Sequence, residues 1–268
     1  MSAPGFDVRR FAQIDSTNRY LLDEARAGAP EGVVAVADVQ HAGRGRLGRR
    51  WEAPAGTGLL ASVLLRPVLG PDELFAATAL VALAAADACC LTVGVAPAVK
   101  WPNDLVVDDA KLAGVLAEVD AAAPGGPLGS VAVVVGIGLN LTWPGPAGAG
   151  GTSLLAEAGR APGRDDLLDA LLAGLAERRR QLDGPAGRLA IRDDLAARCA
   201  TLGRRVRVET AAGEVTGRAR GLSETGQLLV EADDGLTSVI TAGDVVHLRP
   251  AGPDAAPGPP PGGRRRAL

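Results

Sequence analysis

The segment Gln40–Trp51, QHAGRGRLGRRW, puts Arg44, Arg46, Arg49 and Arg50 within a few residues of one another, spaced by Gly43, Gly45 and Gly48. Guanidiniums at this density repel each other and are drawn together by an anion, a carboxylate or a polyphosphate. The glycines supply the hinges for a loop that closes over such a ligand. The same glycines spell G-x-G-x-x-G, but a Rossmann turn needs a helix to open at its third glycine. Here Gly48 leads to Pro54 and further glycines, which oppose a helix start, and no Gly-Lys-Ser or Gly-Lys-Thr phosphate loop occurs anywhere. A solvated basic turn would not need Gly, Arg and Trp so closely interleaved. The reading is an anion-gripping lid over residues 42–50, mobile until a ligand gathers its arginines.

Lysine is scarce. Of the 28 basic residues only Lys100 and Lys111 are lysines. A coding bias toward arginine accounts for the scarcity. It also marks the two survivors as positions where a compact, mobile ammonium does what a planar guanidinium cannot. Both lie in VKWPNDLVVDDAKLAGVLAE, beside Asn103 and Asp104. Lys100 is placed either near phosphates or in a pair with Asp104 or another acid. Upstream, Ser16, Thr17 and Asn18 offer hydroxyls and an amide, with Ser16 also fit to cap a helix.

These segments resemble the biotin protein ligases. DSTN, GRGRLGRRW, KWPND, KLAGVLAE and GIGLNL stand in that family's order and at family-like spacing, spanning most of residues 15–141. Leu47 departs from members that carry another basic residue there, which alters loop charge. The resemblance implies activation of biotin by ATP to biotinyl-5'-AMP with release of pyrophosphate, then transfer to a lysine of a biotin carboxyl carrier domain. It implies Mg²⁺ on the phosphates. It assigns biotin contacts to Ser16, Thr17, Asn18, Gln40, Gly43, Arg44, Gly45, Arg46, Lys111 and Gly114. It assigns ATP contacts to Arg46, Arg49, Trp51, Asn103, Lys111 and Asn140, and the chemistry to Lys111, Arg46 and Arg44. Asp104 would orient Lys111. Trp51 and Trp143 both qualify to stack on adenine or to serve as structural anchors. No metal-ligating cluster is expected, and His41 and His247 have no metal constellation around them.

The elements needed to position these groups are legible. Strands are expected over 8–14, 32–40 and 58–67. A helix follows the DSTN segment and ends at Gly28, and a long Ala-rich helix opens at Pro71 and ends near Gly94. Four strands with tight turns from Ala96 to Leu141 imply antiparallel pairing. Helices over 164–182 and 190–200 follow. From Leu202 short alternating runs divided by glycines give a compact β module. The fold class is α+β: a mixed, largely antiparallel sheet with helices, resembling the class II synthetase catalytic domain, plus a small SH3-like β barrel. The expected division is 1–200 for biotin and ATP, 201–250 for the β module, and a disordered tail over 251–268.

A formal net charge of −3 removes a global basic field, and 47% hydrophobic with 22% charged residues fits a soluble globular chain. Three cysteines give no disulfide framework, and the N-terminus lacks a signal-peptide run, so a cytoplasmic location is expected. Asp87 and the high alanine content suit the long helix to a protein core rather than a membrane. The first catalytic motif begins at Asp15, leaving no room for the DNA-binding winged helix of some members. No DNA or membrane partner is expected, and a homodimer paired at a sheet edge stays open. A lipoate-type ligase of related fold is the nearest alternative. A nucleic-acid-binding module using the arginine loop and the RRR tail is the alternative of another class.

Overall fold

The computed structural model describes residues 5–120, 123–124, 129–211 and 213–248, so the tail expected over 251–268 lies outside the described residues. A seven-stranded sheet forms the body. Its strands are β1 (Asp7–Ile14), β2 (Val33–Gln40), β3 (Gly58–Leu65), β4 (Ala98–Lys100), β5 (Asp104–Val107), β6 (Ala110–Val119) and β7 (Val133–Asn140), in the order β1-β2-β3-β7-β6-β5-β4. Only β1 and β2 run parallel. The other neighbours are antiparallel, as the tight turns require.

Alternation decides which face each strand presents. Along β7, Val133, Val135, Ile137 and Leu139 point into the main core, while Val134 packs with α1 (Thr17–Arg26) on the opposite face. Gly136, Gly138 and Asn140 share that second face by the same period. The main-core face is covered by α2 (Leu74–Val93) and α4 (Arg164–Arg178), with α5 (Pro185–Ala197) beyond. The short helix α3 (Leu154–Ala158) was not foreseen; Ser153 caps it by accepting from the Ala156 N–H at 3.3 Å. By length and composition α2 could cross a membrane, yet Leu80, Leu83, Ala84 and Cys89 are fully buried in the core. A helix apolar all round belongs inside a protein of this kind.

The second sheet holds β8 (Arg205–Thr210), β9 (Gly213–Leu222), β10 (Leu228–Glu231), β11 (Thr237–Ile240) and β12 (Asp244–His247), ordered β11-β10-β9-β8-β12. All its pairings are antiparallel. The sequence led to a barrel. Among the described residues β11 and β12 are edges that do not pair with each other, so closure is absent there.

The two sheets share one core, since Val206, Val208, Leu228 and Val245 belong to the same buried cluster as α2. Trp101 is the rivet. Its indole N–H donates to the Gly226 carbonyl at 2.9 Å, and its backbone N–H donates to the Thr201 hydroxyl at 3.1 Å. Gly226 sits at φ +82 with the Phe75 ring where a Cβ would go. Gly226→Ala therefore combines left-handed strain with overpacking, about 3 kcal/mol together. A fall in melting temperature of roughly 10 °C is expected. A melt superimposable on the parent's would show that this turn is not seated on Phe75.

Candidate active site

The face of the main sheet left open by α1 forms the floor of a cleft of about 340 Å³. Glycines clear it. Gly114 and Gly138 stand opposite each other on β6 and β7, and the Trp51 indole lies across both. A Cβ at Gly138 would overlap the indole, and one at Gly114 would come within 3.2 Å of it. Trp51 thereby anchors the end of the arginine loop on bare backbone. Its buried indole nitrogen has no hydrogen-bond partner among the described residues, and the Lys111 ammonium is 5.6 Å from its ring centre.

One end of the cleft is a polar cluster at the start of α1. Ser16 caps the helix, its hydroxyl accepting from the Arg19 N–H at 3.4 Å. Thr17 donates its backbone N–H and its hydroxyl to Gln40 Oε1, at 2.8 and 3.1 Å. Asn18 donates to Glu118 Oε2 at 2.7 Å and to the Leu116 carbonyl at 3.2 Å. The Ser62 hydroxyl lies 2.6 Å from Asn18 Oδ1 and 2.7 Å from Thr17 Oγ1. Gly136 leaves the space that the Asn18 amide occupies. Ser62 and Glu118 were missed by the sequence reading. Ser62 carried a faint signal, as a lone polar residue inside the apolar strand GLLASVLL.

The opposite end is cationic. Lys111 pairs with Asp104 at 2.7 Å, a contact whose angles leave Asp104 Oδ1 without an aligned hydrogen bond. Arg44 meets Glu118 at 3.2 Å. Arg49 Nη2 contacts both oxygens of Asp244, at 2.5 and 2.8 Å. Arg46 differs from these three. Its Nη1 donates to Asn103 Oδ1 at 3.2 Å and to the Gly243 carbonyl at 3.4 Å, both neutral acceptors. Burial pulls its guanidinium below the usual range, Asp244 and Asp104 oppose this at a distance, and Arg49 adds to it. Lys100 lines the cleft with no ion pair to a carboxylate among the described residues; of its two alternatives, the pairing with Asp104 is not formed, since Asp104 pairs with Lys111.

The loop is folded back on itself, with an antiparallel bridge between Arg44 and Arg50 and a 3₁₀ turn over Arg46–Gly48. The expectation that only a ligand anion collects these arginines is corrected here. The chain supplies its own anions, Glu118 from β6 and Asp244 from the small sheet. Neither was legible, because both contacts join residues far apart in sequence. Leu47 sits at the apex with φ 55, largely exposed.

Ser16, Thr17, Asn18, Gln40, Arg44, Gly45, Arg46, Arg49, Trp51, Asn103, Lys111 and Gly114 all line the cleft. Gly43 and Asn140 do not. Gly43 lies under the loop, where the Trp51 carbonyl leaves no room for a Cβ. Asn140 is buried, and its amide donates to the carbonyls of Thr152 at 2.9 Å and Lys111 at 3.4 Å. It thus supports the Lys111 backbone from beneath. Asn103 is locked to β6 by donating to the Val115 carbonyl at 2.8 Å. Trp143 stands outside the cleft lining, and His41 is exposed, 3.2 Å from Gln13 Oε1.

Residues 10–140 match the Biotin/lipoate A/B protein ligase family, and residues 201–248 match the Biotin protein ligase C terminal domain. A biotin--[acetyl-CoA-carboxylase] ligase of Mycobacterium tuberculosis is 42% identical over 89% of this chain and 88% of its own length. The ligase of the same name from Paracoccus denitrificans is 37% identical over 87% of this chain and 98% of its own. The solved structure of the Aquifex aeolicus biotin protein ligase in complex with biotin and ATP superposes with a TM-score of 0.74. It is 26% identical, over 91% of this chain and 99% of that one. The chain therefore belongs to the biotin protein ligase family.

Proposed function

We infer that this enzyme joins biotin to ATP, forming biotinyl-5'-AMP and pyrophosphate, and passes the biotinyl group to a lysine of a biotin carboxyl carrier domain. The carrying observation is Arg46. A half-buried guanidinium satisfied only by neutral oxygens is poised for an anion, and it lines the same cleft as Lys111. A carboxylate attacking a phosphate is a reaction between two anions, and fixed cations in a dry site cancel that repulsion.

The polar cluster suits the ureido ring. Thr17, Asn18 and Gln40 offer donors and acceptors to a urea carbonyl and its two N–H groups. The acyl chain would run along Gly114, leaving the carboxylate at Lys111. Lys111 and Arg46 would stabilise charge developing on the α-phosphate, with Arg44 and Arg49 serving the carboxylate and the remaining phosphates. ATP would sit against Trp51, Asn103 and the support given by Asn140. Closure of the loop over the mixed anhydride would exclude water from it. In the second step an acceptor amine would attack the biotinyl carbonyl, with AMP leaving.

No group of three or more metal-ligating side chains occurs among the described residues. The donors present, Asn103 and Asp104, fit a Mg²⁺ held chiefly by phosphate oxygens. Bound there, it would neutralise phosphate charge. The reading includes action in the cytoplasm without DNA or membrane, and a homodimer or monomer distinguished by sedimentation.

Biotin-dependent exchange of labelled pyrophosphate into ATP tests the reaction itself. Exchange with lipoate but not biotin would move the chain to the sister activity. Lys111→Arg keeps charge and fold but loses the bridging point charge. A loss of about 3 kcal/mol in transition-state stabilisation, a hundredfold in exchange rate, is expected. A rate within roughly threefold of the parent would make Lys111 an ordinary cation.

Arg46→Gly should still form the adenylate, since Lys111 remains, but release it. Incubated with ATP, biotin and an unrelated lysine-rich protein, this variant should label the bystander more than the parent does. Near-normal adenylate formation without added bystander labelling would show that the loop does not retain the intermediate.

A further inference from the structure

His247 closes β12, and only 9% of its side chain is exposed. Its Nδ1 is 3.0 Å from Asp109 Oδ1, and its Nε2 is 3.2 Å from the Thr201 hydroxyl. That hydroxyl accepts from the Trp101 N–H at 3.1 Å. A neutral imidazole with its proton on Nδ1 satisfies the whole chain. Trp101 N–H donates to Thr201, Thr201 O–H donates to Nε2, and Nδ1–H donates to Asp109. Arg204 Nη1, 3.0 Å from the same Nδ1, then turns its hydrogens to the two Asp109 oxygens, each 2.7 Å away. Burial keeps the imidazole below its usual range, Lys100 and Arg204 act in the same sense, and Asp109 opposes them.

The two ends of this chain lie on the two segments that carry the Lys111–Asp104 pair. Trp101 begins the stretch leading to Asn103 and Asp104. Asp109 is the second residue of the two-residue turn between β5 and β6, and Lys111 follows two positions on. Asp108 and Asp109 both adopt positive φ, 46 and 70. Aspartate tolerates that conformation better than most non-glycine residues, though at some cost, and the contacts of the Asp109 side chain help to offset it. Those contacts come from Arg204, directly before β8, and from His247 on β12.

We propose that His247 is a positioning residue: by gripping Asp109 and, through Thr201, Trp101, it fixes the distance between two segments and so sets Lys111 against Asp104. The proposal rests on the adenylation reading above and gives the small domain a part in the first half-reaction.

Two measurements test it. The chain contains two lysines, so brief acetylation with a dilute amine-reactive ester, read by peptide mass spectrometry, compares Lys111 with the α-amino group. His247→Ala should raise Lys111 labelling severalfold as its pairing with Asp104 loosens. The same variant should lower kcat of biotin-dependent pyrophosphate exchange about tenfold while KM for biotin stays within about twofold. His247→Asn, which keeps a donor for Asp109, should recover much of both. In an Asp109→Ala background, His247→Ala should add little, because the route is already cut.

Unchanged labelling, or a kcat loss that is fully additive with Asp109→Ala, would overturn the proposal and leave His247 a strut between domains. If His247→Ala fails to fold, labelling and kcat of His247→Asn against Thr201→Val decide it, with parental values in both variants sinking the idea. Should the parent show no biotin-dependent exchange, the ligase reading fails, while the labelling comparison still judges the positioning claim.

Discussion

Mutual repulsion among cations is the constraint the structure is built around. Arg44, Arg46, Arg49, Arg50, Lys100 and Lys111 line one cleft in a chain whose net charge is −3. Gathered in one cleft, like charges oppose folding unless they have counter-charges or hydrogen-bonded partners. The counter-charges are Glu118 on β6, Asp104 on β5 and Asp244 on β12. Because the third comes from the second sheet, the two sheets are bound electrostatically as well as through their shared core. Arg46 and Arg50 are left with neutral partners, and Lys100 has no carboxylate partner among the described residues, so the cleft keeps a surplus of positive charge that an anion would balance.

Steric economy answers the same constraint from below. Trp51 can lie flat on the sheet only because Gly114 and Gly138 face each other across β6 and β7. Asn18 reaches Glu118 only because Gly136 gives it space. Glu118 then serves two masters, the polar end through Asn18 and the cationic end through Arg44. Shape and charge are thus joined at a single carboxylate on β6.

Much of this was legible. The tight turns between the four strand-like segments from Ala96 to Leu141 implied the antiparallel strands, and the family-like motifs pointed to Thr17, Arg46, Asn103 and Lys111, which line one cleft. Local rules reach that far because the period of a strand and the cap of a helix are set by neighbours in sequence. Asp244 was invisible since nothing around it marks it; only the docking of the small sheet brings it to Arg49. Alternation gave the small β module its strands, but it cannot report whether the outermost two meet, and among the described residues β11 and β12 do not pair. Asn140 shows the limit differently. Its segment was identified, but an amide that serves a ligand and one that serves a buried backbone carbonyl look alike in sequence.

The placement of the two lysines has a consequence for chemical hygiene. An acyl-adenylate is a promiscuous acylating agent, and its natural targets are amines. Both lysine amines of this chain line the cleft, one of them covered by Asp104, so the described outer surface is furnished with guanidiniums that do not react. What escapes the cleft meets no further lysine on this chain, only its α-amino group, and is left chiefly to other proteins.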